Sequence, residues 1–92
     1  MTSRTVTVVN QLGMHARAAA KFVHLAGRFQ SHIVVGRQGR EMDGKSIMGL
    51  LLLAAARGTA ITIAANGDDE QAAVSALATL VETGFGEDTC SA

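Results

Sequence analysis

The sequence predicts an α+β fold with the order βαββαβα. This is an open-faced sandwich: a four-stranded antiparallel sheet with helices packed on one face. Three observations carry that expectation. Segments of alternating polar and apolar residues are interleaved with segments of helical periodicity. Turn residues separate them, as in Arg37-Gln38-Gly39 and Asn66-Gly67. The 92 residues contain no proline, no repeat and no linker-like run, so residues 1–92 are expected to form a single domain, ending in a mobile polar tail over residues 87–92. Two long helices cover one face of such a sheet and leave the other to water.

Thr5-Val6-Thr7-Val8-Val9 alternates as a half-buried strand does, and Asn10-Gln11-Leu12-Gly13 reads as a loop after it. From Ala16 to Gly27, the apolar residues Ala19, Phe22, Val23 and Ala26 recur on one helical face, with Lys21, His24 and Arg28 opposite. His32 to Val35 forms a second strand, Arg37-Gln38-Gly39 a turn, and Arg40 to Met42 a short third strand. Ser46 then precedes a helix in which Ile47, Leu50, Leu51 and Ala54 share a face, with Gly58 placed to end it. Ala60 to Ala64 is the fourth strand. Asp68 is the expected N-cap of the last helix, and Gln71 completes a capping box. Val74, Leu77, Ala78 and Val81 give that helix its buried face, and Gly84 its end.

Composition excludes several classes of function. Eight basic and eight acidic side chains cancel, so no global field favours nucleic acid or an anionic membrane. The longest apolar run, Ile47 to Ala56, is broken by Gly49 and is too short to cross a bilayer. Met1 to Arg4 lacks the character of a secretory signal. A single cysteine, Cys90, cannot form an internal disulfide, which fits a reducing cytoplasm. No Cys/His spacing fits a metal site, and His24 and His32 read as solvated surface residues. Gly36, Gly39 and Gly44 do not fall in the register of a phosphate-binding loop. No metal or cofactor is expected.

The chemistry concentrates in Gly13-Met14-His15-Ala16-Arg17-Ala18-Ala19-Ala20, at the mouth of the first helix. The start of a helix offers unpaired N–H groups and the positive end of aligned peptide dipoles, a favourable seat for an anion. An imidazole there can meet a phosphoryl group, and a guanidinium two residues on can hold its oxygens. The ordinary alternative is that His15 only caps the helix. A nucleophilic imidazole must be neutral, and both the helix end and Arg17 favour that form. Ser46 is an ordinary N-cap, worth about 1 kcal/mol to its helix. Met48, Leu52 and Ala55 lie off the expected buried face; with Ala16, Ala20 and Arg17 they form either a docking patch or the rim of a small core.

These residues also carry a resemblance. Gly13-Met14-His15-Ala16-Arg17-Ala18-Ala19 resembles the active-site motif of the HPr family, the histidine-containing phosphocarriers of the bacterial phosphotransferase system. Lys45-Ser46-Ile47-Met48-Gly49-Leu50 resembles that family's second motif, around a regulatory serine. Asn66 to Ala73 is similar to its turn into the last helix. The resemblance implies that His15 takes a phosphoryl group on Nδ1 from phosphorylated enzyme I and passes it to a IIA-type protein, with Arg17 as its clamp. It implies a carrier, not an enzyme, working as a monomer in the cytoplasm, and phosphorylation of Ser46 by an HPr kinase/phosphorylase. Where the family usually has proline this chain has Ala18, which regains an N–H donor and loosens the start of the helix. Two other functions remain open: a binding module governed chiefly by Ser46, and a small-molecule or metal-binding domain of the same shape. The sequence does not separate the sugar-transport branch from the nitrogen-linked one.

Overall fold

A computed structural model of the chain describes residues 1–53 and 55–86. Its elements are β1 (Thr2–Thr7), α1 (Ala16–Ala26), β2 (His32–Arg37), β3 (Arg40–Asp43), α2 (Ile47–Leu53), β4 (Ala60–Asn66) and α3 (Glu70–Glu82), followed by a 3-10 turn over Gly84–Gly86. The order is βαββαβα, as expected. Ala54, the tail over residues 87–92 and Cys90 lie outside the described residues.

The strands form one antiparallel sheet in the order β1-β4-β2-β3. β4 sits between β1 and β2, with Val6 opposite Ile61 and Val35 opposite Ile63. On the helix side Val6, Ile33, Val35, Ile61, Ile63 and Ala65 are buried under α1 and α3. α1 contributes Ala18, Ala19, Phe22 and Ala26, and α3 contributes Ala73, Val74, Leu77, Ala78 and Val81. The core is thus built from aliphatic side chains and two phenylalanines, Phe22 and Phe85. The opposite sheet face carries Thr5, Thr62 and His32 in solvent. Thr5 and Thr62 share a hydroxyl hydrogen bond of 3.1 Å there.

Several boundaries differ from the sequence reading, each for a physical reason. β1 begins at Thr2 rather than Thr5. Its inward positions Thr2 and Arg4 are polar because they meet the two ends of α3. Thr2 Oγ1 donates to Glu70 at 2.6 Å, and Arg4 pairs with Glu82 at 3.5 Å. Val9 turns outward instead of continuing the strand. In α2 the buried residues are Gly49, Leu50 and Leu53, whereas Ile47 and Leu51 are exposed. Gly49 makes that phase possible, because a methyl there would press on Met42 of β3 at 3.3 Å. Gly58 does not end α2; it lies in the turn before β4, where its N–H donates to the Val8 carbonyl at 2.7 Å.

The N-cap of α3 is Asp69, one residue later than the expected Asp68, and its side chain makes no cap bond. Its carboxylate instead accepts from the Gln30 amide at 2.8 Å, the Ser31 amide at 3.0 Å and the Ser31 hydroxyl. The expected capping-box partner Gln71 is exposed, and Glu70 reaches back to the Gly67 amide at 3.2 Å. Asp69 has been diverted to tie the α1–β2 loop to α3. Among the described residues no helix is long and apolar enough to cross a membrane.

Candidate functional site

His15 is the N-cap of α1. Its backbone is extended, and its Nδ1 accepts the Arg17 N–H at 3.2 Å. A nitrogen that accepts a hydrogen bond holds its lone pair there and carries no proton, so in the neutral ring the proton sits on Nε2. The nucleophilic lone pair therefore points into the N–H groups that begin the helix. α1 has no acidic residue in its first turn, so no carboxylate of its own neutralises that end.

The loop before His15 is tightly held. The buried Asn10 side chain donates to the Gly13 carbonyl at 2.8 Å, and the Gly13 N–H returns to the Asn10 carbonyl at 3.1 Å. The His15 N–H donates to the Gly13 carbonyl at 2.9 Å, and the Met14 N–H to the Ala55 carbonyl at 2.9 Å. Gly13 has φ +67°, and a Cβ there would lie 2.7 Å from the Ala55 carbonyl oxygen. Only glycine fits a left-handed position so close to another backbone. Sequence reading assigned Asn10 no role beyond a loop; its signal, a buried amide closing the four-residue turn Asn10–Gly13, is a tertiary one.

Arg17 is exposed on α1. With Lys21, His24 and Arg28 it lines one side of a shallow groove of about 490 Å³, whose apolar wall includes Ala20, Leu25 and Leu80. Lys21 is committed to the Phe85 carbonyl at 2.8 Å. Ser46 caps α2, its hydroxyl accepting the Gly49 N–H at 3.1 Å. The two expected functional residues are thus at different ends of α2. His15 belongs to the loop resting on the exit of that helix, while Ser46 starts it, and seven residues of helix span roughly 10 Å.

The structure divides the expected docking residues. Ala16 and Ala20 are exposed on α1, and Met48 (67 %) and Leu52 (56 %) are exposed on α2, which packs beside it. Ala55 is only 2 % exposed, so it is no surface contact. It lies past the end of α2, and what it offers the site is its carbonyl. Large apolar residues exposed among the described residues but not assigned to the patch are Met1, Val9, Leu12 (73 %), Ile47 and Leu51. Among the described residues no cluster of His, Cys, Asp and Glu could hold a metal ion.

Comparison with known proteins shows the family and the fold. The family model for the PTS HPr component phosphorylation site matches residues 2–83. A phosphocarrier protein HPr from Cupriavidus necator is 48% identical over 87 residues, covering 95% of this chain and 98% of that protein. The crystal structure of HPr-C-His from Thermoanaerobacter tengcongensis superposes with a TM-score of 0.92 at 41% identity, covering 96% of this chain and 99% of that one. Crh of Bacillus subtilis, a catabolite-repression protein described as a domain-swapped dimer, superposes with a TM-score of 0.74 at 42% identity, covering 91% of this chain and 97% of that one. The chain belongs to the HPr family, the phosphocarriers of the phosphotransferase system.

Proposed function

We propose that His15 Nδ1 accepts a phosphoryl group from phosphorylated enzyme I and passes it to a IIA-type protein. The observation that carries this is the hydrogen bond from the Arg17 N–H to Nδ1. It marks Nδ1 as the unprotonated nitrogen and aims its lone pair at the positive start of α1. In the transfer, the donor's bond to phosphorus breaks as the Nδ1–P bond forms, and the Nε2 proton stays on the ring. The phosphoryl oxygens then take the place of the Nδ1 lone pair as acceptors for the first N–H groups of α1, and the Arg17 guanidinium closes on them. A helix-end interaction is worth about 0.3–1 kcal/mol and a hydrogen bond to a charged group about 1.5–3 kcal/mol. Holding energies of that size suit a carrier, which must release what it binds.

The half-buried ring of His15, with exposed Ala16, Ala20, Met48 and Leu52 on two adjacent helices, fits a surface that two protein partners use in turn. The protein works in this reading as a cytoplasmic monomer without cofactor. The test is incubation with phosphoenolpyruvate and enzyme I, followed by analysis of the label. Acid-labile, base-stable phosphate on the wild type and none on His15→Ala is the expected result. Label that persists in His15→Ala overturns the proposal.

The likeness to Crh and the exposed start of α2 favour a second, regulatory role for Ser46. An HPr kinase/phosphorylase would transfer phosphate from ATP to its hydroxyl. A phosphoserine at a helix N-terminus is electrostatically favourable, so α2 stays folded while the docking face gains up to about two negative charges. The expected result is acid-stable label with kinase and ATP that is lost in Ser46→Ala, together with slower phosphorylation of Ser46→Asp by enzyme I. Equal rates for Ser46→Asp and wild type contradict it.

A further inference from the structure

The β2–β3 hairpin reaches over to the far end of α2. Arg37 closes β2 on the helix side of the sheet, continuing the inward positions Ile33 and Val35. Its Nη1 donates to the carbonyl of Leu53, the last residue of α2, at 2.7 Å. Arg40, which opens β3, points Nη1 at the Leu52 carbonyl at 3.5 Å. A helix of seven residues is too short to stand on intrinsic propensity, and its last carbonyls have no partners within the helix. A guanidinium meeting those carbonyls satisfies them and complements the negative end of the helix.

The backbone just past α2 supports the phosphoryl site. Two residues beyond Leu53, the Ala55 carbonyl receives the Met14 N–H, and the Gly13 backbone lies against the same oxygen. Met14 is joined directly to His15. Arg37 thus holds the carbonyl of Leu53, and two positions along the chain the Ala55 carbonyl holds the loop that carries His15. Gln38 and Gly39, both with positive φ (50° and 83°), make the tight turn that holds Arg37 and Arg40 side by side.

We infer that Arg37 is a positioning residue for the phosphoryl site, holding the exit of α2 where it fixes the His15 loop. The kinetic consequence rests on the phosphocarrier reading of His15; the structural one does not. An arginine kept only for its aliphatic stem would be replaceable by methionine without effect on the loop. The test compares Arg37→Met, which keeps the stem and loses the donors, with Arg37→Lys, which keeps a cationic donor group but not the planar guanidinium.

Amide hydrogen exchange at Met14 and phosphoryl transfer from enzyme I are measured for both. In Arg37→Met, Met14 exchange is expected to be roughly tenfold faster while the Leu77 and Val81 amides of α3 keep their rates. The kcat for phosphorylation falls, and Arg37→Lys recovers part of both changes. Should Arg37→Met fail to fold, Met14 exchange in Arg37→Lys must still exceed wild type, since a flexible ammonium does not reproduce the planar, pre-organised guanidinium that reaches the Leu53 carbonyl. Unchanged Met14 exchange, or equal acceleration at Met14 and in α3, overturns the assignment. If wild-type His15 takes no phosphate, the carrier reading fails while the exchange comparison still decides the role of Arg37. If it does, unchanged exchange and kcat in Arg37→Met defeat the positioning role alone.

Discussion

The starts of α1 and α3 present the same backbone physics and opposite chemistry. Each presents N–H groups that have no partner within the helix, and the positive end of the helix. At α3 the chain supplies its own anions. Glu70 accepts from the Thr2 hydroxyl at 2.6 Å, the Met1 amino group at 3.1 Å and the Gly67 amide at 3.2 Å, which together hold its carboxyl down at about 2. Asp69, bound by the Ser31 hydroxyl and the Gln30 amide, is likewise held below the usual carboxylate range. At α1 the cap is an imidazole and the first turn holds no acid. The start of α3 carries two carboxylates, both bonded to other parts of the fold. The start of α1 carries none in its first turn, which fits the proposal that His15 receives a phosphoryl group there.

The largest effect is expected at the clamp. Arg17→Ala should lower kcat/KM for phosphorylation by about 10²-fold, the usual loss when one charge-stabilising donor is removed. A rate within twofold of wild type would show that the helix end alone holds the phosphoryl group. Gly13→Ala comes next, because its methyl would lie 2.7 Å from the Ala55 carbonyl in a left-handed conformation. Urea unfolding should report a loss of about 1–3 kcal/mol, with transfer slowed as the loop shifts.

Ser46→Ala removes the hydroxyl that accepts the Gly49 N–H and should cost about 1 kcal/mol without abolishing phosphorylation at His15. Ala16→Glu turns α1 into a counterpart of α3. It should raise stability by about 0.3–1 kcal/mol while slowing transfer by up to about fivefold, since the new carboxylate competes for the same N–H groups. Faster transfer in that variant would break the contrast.

The smallest effect lies in pH. The Glu70 carboxyl is depressed from 4.5 to about 2 by its donors, so its contribution to stability is complete above pH 4.5 and disappears as pH falls through about 2. Thermal unfolding of Glu70→Gln across that window should lack this part of the acid sensitivity shown by wild type. An identical pH profile for the two proteins would mean that those contacts do not act in solution.

Legibility in the sequence tracks the range of the interactions. Ser46 as a cap, the aliphatic faces of α1 and α3, and the Gly39 and Gly67 turns depend on neighbours within a few residues, and periodicity or local chemistry exposes them. The phase of α2 was not legible, since Ile47-Met48-Gly49-Leu50-Leu51-Leu52-Leu53 contains no polar residue to mark an outer face. Its buried side is chosen by Gly49 against β3. The start of β1 was hidden because its inward residues, Thr2 and Arg4, are polar and are satisfied by α3 about 70 positions away in sequence. Asp69, Ala55 and Arg37 act through long-range bonds to Ser31, Met14 and Leu53, which no local pattern predicts. His15 and Arg17 stood out because their motif is local, yet the tautomer that prepares the ring for chemistry emerges only from the bond between them.

That bond also offers the most direct test of the central claim. Nitrogen-15 NMR of the His15 ring, recorded before and after phosphorylation by phosphoenolpyruvate and enzyme I, identifies the nitrogen that bears phosphorus. Phosphorylation is expected at Nδ1, with a large shift of the Arg17 amide proton as its acceptor changes from imidazole to phosphoryl oxygen. Phosphorus on Nε2, or an Arg17 amide that does not respond, would contradict it.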